Sequence, residues 1–117
     1  MKLQDIQAVY FIGAGGIGMS ALVRYFHHKG LVAAGYDKTP TDLTRRLEKE
    51  GIQLHYEDNI NLIPDVCKNP STTLVVYTPA IPNTHRELIY FRENHFEIEK
   101  RAQVLGRLTQ THKGLCF

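Results

Sequence analysis

Residues 9–20 read VYFIGAGGIGMS: four apolar residues run into a glycine-rich turn, and an apolar pattern of helical period follows. Gly13, Gly15 and Gly18 satisfy G-x-G-x-x-G. The bare pattern is a weak signal, but between a strand and a helix it becomes informative. In that setting the first glycine permits a sharp turn. The second lets backbone approach a phosphate with no Cβ in the way, and the third lets helix pack close to strand. The helix N-terminus then offers free N–H groups and about half a positive charge to an anion. Gly16 removes one more side chain, and Ser20 places a hydroxyl near the first helical turn. The stretch therefore predicts a pyrophosphate cradle, with a tightly packed turn that binds nothing as the alternative.

The rest of the chain repeats this β-α alternation. Residues 8–12 are continuously apolar, as in a parallel strand buried on both faces. Ile17, Ala21, Leu22, Tyr25 and Phe26 follow with helical spacing, and Gly30 is placed to end that helix. Residues 31–36 read as a second strand. Thr39-Pro40-Thr41-Asp42 predicts a second helix with Thr39 as cap and Pro40 at its first position; it carries Leu43 and Leu47 and stops at Gly51. A short strand at 52–56 leads to a brief helix or turn over 59–68, broken by Pro64. TLVVY at 73–77 is the clearest β-branched strand. A helix over 85–93, a strand over 96–99, a helix from Arg101 to about Gln110 and an apolar run at 114–117 complete the pattern. Such alternation predicts a single Rossmann-like α/β domain: an open parallel sheet of about five strands with helices on both faces.

Ligands of open α/β sheets sit beyond the carboxyl ends of the strands, where strand order reverses. The first and fourth strands are expected to flank that crevice, which sets Thr78, Pro79, Ala80 and Asn83 opposite the glycine loop. Asp37, nineteen residues after Gly18, closes the second strand. An acid there takes ribose hydroxyls in dinucleotide sites and disfavours a 2′-phosphate. A plain turn aspartate is its structural alternative, and a proline-stiffened turn is that of residues 78–83.

Composition excludes several functions. With 117 residues, 43% hydrophobic and 22% charged, the chain has the make-up of one ordinary globular domain. A net charge of +2, with scattered basic residues, gives no case for nucleic acid. No apolar stretch approaches the ~18 residues of a membrane span, and glycines interrupt the only early apolar run, so a cytoplasmic protein is expected. Cys67 and Cys116 lack CxxC spacing, and neither they nor the six histidines suggest a metal site. Cys67 reads as a half-buried helix residue, and His27 and His28 as cations at a helix end. There is no G-x-x-x-x-G-K-[ST] loop, no G-x-S-x-G turn, and no carboxylate pair beside a helical histidine. Glu57-Asp58 reads as a solvated loop pair. No catalytic residue is expected here.

Several stretches together resemble the Mur ligases of peptidoglycan synthesis, from Val9 to the last residue. FIGAGGIGMSAL at 11–22 is similar to the family's first loop, whose G-G-x-G-M-S run is more specific than a bare dinucleotide fingerprint. Gly35-Tyr36-Asp37 falls where the family has a short segment ending in Asp. VVYTPAI at 75–81 resembles V-V-x-S-S-A-I, with Asn83 following, and KRAQVL at 100–105 resembles an R-A-x-x-L helix start.

The resemblance implies a UDP-sugar-binding N-terminal domain over residues 1–112, with 113–117 opening a central ATP-binding domain truncated here. Carried over position by position, Gly13, Ala14, Gly15, Gly16, Ile17, Gly18, Met19 and Ser20 would hold the pyrophosphate of UDP-N-acetylmuramate. Asp37 would lie on the uridine side, Thr78, Pro79, Ala80 and Asn83 would line the opposite wall, and Arg101 would be the cation near the ligand. ATP and Mg²⁺ are implied for the full-length enzyme, with none in this stretch. There ATP would form an acyl phosphate on the muramate carboxylate, which the amine of L-alanine attacks. Members that recycle whole tripeptides rank second, because their loop lacks G-I-G-M-S. Thr78-Pro79 departs from the usual Ser-Ser, and Glu57-Asp58 from Gly-His. Outside the family, the alternative is an NAD-binding Rossmann domain of a dehydrogenase or of a regulatory nucleotide sensor.

Overall fold

The computed structural model describes residues 5–15, 17–79, 81–104 and 106. Five strands, β1 (Ala8–Ile12), β2 (Val32–Tyr36), β3 (Gln53–His55), β4 (Thr73–Tyr77) and β5 (Glu97–Lys100), form one sheet in the order β3-β2-β1-β4-β5. All four pairings are parallel. Three helices, α1 (Ile17–His28), α2 (Asp42–Lys49) and α3 (Arg86–Glu93), connect them, and residues 101–104 are helical again. The expected Rossmann-like sheet is present. The apolar run at 114–117 and the end of the last expected helix lie outside the described residues.

Strand periodicity divides the interior into two cores. Val9 and Phe11 of β1, with Leu74 and Val76 of β4, point to the face covered by Met19, Leu22, Val23 and Phe26 of α1, Leu47 of α2 and Val104. Ala8, Tyr10, Ile12 and Val75 point to the other face, against Leu88 and Phe91 of α3, Ile63, Cys67 and Phe96. Every β1 residue is buried, as its unbroken apolar run requires. Gly35 of β2 permits the tight packing above it: a Cβ there would lie 2.5 Å from the Phe11 carbonyl oxygen and 3.2 Å from the Ala14 Cβ.

Two local expectations are corrected. The cap of α2 is Thr41, not Thr39, and Pro40 lies outside the helix. Thr41 accepts the Thr44 N–H and the Thr44 hydroxyl oxygen accepts the Thr41 N–H, so a reciprocal box outcompetes the proline start. Residues 59–68 form, as expected, brief helical turns broken at Pro64, the two 3₁₀ turns Ile60–Leu62 and Asp65–Lys68. Cys67, in the second turn, is fully buried rather than half-buried. His27 and His28 do stand in the last turn of α1.

Candidate functional site: a cleft across the β1–β4 seam

β1 lies between β2 and β4, so the strand order reverses at the β1–β4 pair, where Ile12 is in register with Tyr77. The loops leaving these two strands face one another. Gly13 has φ +96°, a left-handed conformation that turns the chain away from β1 at little cost only for glycine. The N–H groups of Gly13 and Ala14 both donate to the Tyr36 carbonyl oxygen, at 2.8 and 3.0 Å, fastening the loop to the end of β2. Across the seam, a Cβ on Gly13 would sit 3.1 Å from the Thr78 Oγ1 and 3.8 Å from the Ile81 Cδ1.

Asp37 closes the third side. Its Oδ2 accepts the Gly15 N–H at 2.6 Å and its Oδ1 the Thr39 N–H at 3.3 Å. A Cβ on Gly15 would collide with that carboxylate and lie 2.7 Å from the Thr44 Cγ2. Together Gly13, Gly15, Asp37, Lys38, Thr39, Thr41, Thr78 and Ile81 enclose a cleft of about 500 Å³.

Gly18 has a different neighbour from the one expected. A Cβ there would strike the Arg101 guanidinium, with Cζ at 2.9 Å, so this glycine makes room for an arginine rather than for the sheet. Arg101 follows β5 directly and is thereby carried to the N-terminal turn of α1. The first-turn N–H groups of a helix have no partner within it, so cation and helix terminus present like potential to an anion.

The remaining expected residues fall into three groups. Ala14 and Met19 are buried in the core beside α1, so only their backbone is available to a ligand, and Ser20 is only 5% exposed. Pro79 and Asn83 are exposed, with the Asn83 Oδ1 3.5 Å from an Arg92 Nη1 and away from the cleft lining. Gly16 and Ala80 lie outside the described residues, as does the side chain of Ile17. Lys38, Thr39, Thr41 and Ile81 line the cleft and were not expected to; their adjacency to Asp37 and Thr78 in sequence was the available signal. Among the described residues no group of three or more His, Cys, Asp or Glu could hold a metal ion. Nor, among the described residues, is any helix long and apolar enough to cross a membrane.

A buried polar cluster under α3 was also unexpected. Glu87, fully buried, accepts hydrogen bonds from the Tyr10 hydroxyl and from the Asn59 N–H at 3.1 Å, and stands 2.8 Å from His55 Nε2. Burial, followed by the Glu87 charge, pushes the Tyr10 phenol far above its ordinary value. Asp58 is not merely solvated: it accepts the Arg86 and Glu87 N–H groups at 2.9 and 3.0 Å. His85 packs edge-on against Tyr36 at 4.6 Å, with Nδ1 3.4 Å from Asp58 Oδ1. Burial and the nearby Asp58, Glu87 and Asp37 carboxylates raise the Tyr36 phenol too.

A parallel sheet with its loop cleft at the point of strand reversal defines the doubly wound α/β class, whose ligands bind at that point. Comparison with known proteins narrows it. Residues 8–113 match the family described as "Mur ligase family, catalytic domain", and the chain belongs to that family. It is similar to the UDP-N-acetylmuramate–L-alanine ligases of Phocaeicola vulgatus, 61% identical, and Parabacteroides distasonis, 60% identical, each over 99% of this chain and 25% of the relative. Its fold is similar to the crystal structure of UDP-N-acetylmuramate-alanine ligase MurC from Thermotoga maritima. That match has a TM-score of 0.81 at 27% identity, over 91% of this chain and 23% of that one. The chain thus spans about a quarter of the length of these relatives.

Proposed function

We propose that residues 1–112 bind UDP-N-acetylmuramate for a cytoplasmic ligase that joins L-alanine to the muramate carboxylate in peptidoglycan synthesis. The observation that carries this reading is the meeting at one cleft of the glycine loop, Asp37 and Thr78, with Arg101 at the adjoining helix N-terminus. The names of the relatives supply the ligand.

In this reading the pyrophosphate lies against Gly15 and the first turn of α1, with Arg101 as counter-charge. Asp37 takes the ribose hydroxyls, and Thr78 donates its hydroxyl from the facing wall. Pro79 has no N–H and offers only its carbonyl and ring. ATP and Mg²⁺ act in the full-length enzyme and are held by other residues. This chain has no G-x-x-x-x-G-K-[ST] phosphate loop for ATP. Its own part is to bind and orient the sugar nucleotide.

NMR titration of the labelled chain tests the proposal, with UDP-N-acetylmuramate and NAD⁺ at equal concentration. Shifts at Gly15, Gly18 and Ser20 with the UDP-sugar alone are expected. Shifts with NAD⁺ and none with the UDP-sugar would overturn the ligase reading in favour of a dehydrogenase or sensor domain.

A further inference from the structure

The Gly15 N–H, a loop donor on the cleft, already has a partner. The Gly13 and Ala14 N–H groups are fixed on Tyr36, so Gly15 carries the next donor, and the Asp37 carboxylate holds it at 2.6 Å. A phosphate seeking the Gly15 N–H therefore meets a negative charge at hydrogen-bond distance from it. Coulomb repulsion between two anions that close, in a partly desolvated cleft, is large compared with one hydrogen bond. The Thr39 N–H on the other carboxylate oxygen steadies Asp37 in this position. On the far side, the Thr44 methyl fills the space beside Gly15.

We infer that Asp37 is a specificity-determining residue that makes the loop selective for a diphosphate joined to a ribose diol, by yielding the Gly15 N–H only when its carboxylate gains hydroxyl donors in exchange. This rests on the UDP-sugar reading and deepens it. A bare diphosphate displaces the carboxylate and leaves it facing a second anion with no new donor. A nucleoside diphosphate brings two hydroxyls to the end of β2, which the displaced carboxylate accepts. Recognition of the sugar and access to the phosphate seat are then one event. Gly15 suits this exchange, since any Cβ there would collide with the Asp37 carboxylate.

The test compares the native chain with Asp37→Ala and Asp37→Asn by following the Gly15 amide during titration. The probes are inorganic pyrophosphate, UDP, 2′-deoxyuridine diphosphate and UDP-N-acetylmuramate. The native chain is expected to prefer UDP to its 2′-deoxy analogue and to ignore millimolar pyrophosphate. Asp37→Ala is expected to gain pyrophosphate binding by about tenfold or more while losing the preference for the 2′-hydroxyl. Asp37→Asn, which keeps an acceptor for Gly15 but not the charge, should gain pyrophosphate binding as well and serves if the alanine variant fails to fold. Variants that lose UDP binding without gaining pyrophosphate would overturn the exchange and leave Asp37 a simple ribose ligand. Failure of the UDP-sugar reading shows elsewhere, as a native chain that answers to NAD⁺ and to neither UDP nor UDP-N-acetylmuramate.

Discussion

Asp58 caps a helix that begins twenty-eight residues after it: its two carboxylate oxygens accept the N–H groups of Arg86 and Glu87. The local cap position of α3 is held by His85, whose side chain makes no capping bond. The loop after β3 is thereby tied to the helix on the sheet's other half. Asp58→Ala is expected to lower the unfolding free energy by about 1–2 kcal/mol, and Asp58→Asn by less, since the amide oxygen still accepts. Urea unfolding with an unchanged m-value would show it as a shift in midpoint.

The Tyr10–Glu87–His55 cluster should be more sensitive. Glu87→Ala removes the shared acceptor of the Tyr10 hydroxyl, the Asn59 N–H and His55, leaving the hydroxyl only His55 Nε2 at 3.0 Å, and a loss of about 3 kcal/mol or more is expected. Tyr10→Phe removes one donor and leaves the other contacts of Glu87, for about 1–2 kcal/mol. A loss smaller for Glu87→Ala than for Tyr10→Phe would refute this ordering.

Gly18 and Arg101 should behave as one unit. Gly18→Ala displaces the guanidinium while improving helix propensity by up to about 1 kcal/mol. UDP-N-acetylmuramate binding is expected to weaken about tenfold with thermal stability held or raised. Arg101→Ala should weaken binding similarly, and the double variant should add little. Calorimetric titration of the four proteins reads that coupling.

Alkaline stability has a sign that burial sets. Desolvation pushes the Cys67 thiol from 9.0 up to about 12, so the folded state holds its proton while the unfolded chain releases it. The stabilisation from Cys67 is complete below pH 9 and is lost as pH rises toward 12, at up to about 1.4 kcal/mol per pH unit. Cys67→Ala should flatten that decline. In a Cys116→Ser background, Cys67 should resist a thiol reagent at pH 8 until the protein is unfolded.

His95, with φ 60°, is the one left-handed non-glycine residue among those described, and its N–H closes the end of α3 on the Arg92 carbonyl. His95→Gly is expected to stabilise the fold by about 0.5–1 kcal/mol, read as a rise in Tm.

The legible parts of this protein are those in which a side chain's job is set by its near neighbours. The strand 8–12, the turn at Gly13, the end of α1 at Gly30 and the strand 73–77 all follow from local pattern, and the sheet order then follows from strand–helix alternation. Asp37 and Thr78 came into view because topology brings the ends of β2 and β4 to the loop. Two threonines compete for the cap of α2, and only the reciprocal bond between Thr41 and Thr44 decides between them. Asp58 and Glu87 were opaque for another reason: their partners lie across the sheet, and a carboxylate in a sequence carries no sign of which distant N–H it will meet. The role of Gly18 likewise depends on Arg101, which reaches it only after five strands are in place.

The sheet's two borders have a practical consequence. The outer strands of a sheet are where a further chain could add. Among the described residues one outer strand, β3, is three residues long, and the other, β5, reads EIEK, three charges in four positions. A second copy aligning in register along β5 would set glutamate beside glutamate. Concentrated solutions of this protein should accordingly resist growth of β-rich aggregates until the sheet itself comes apart.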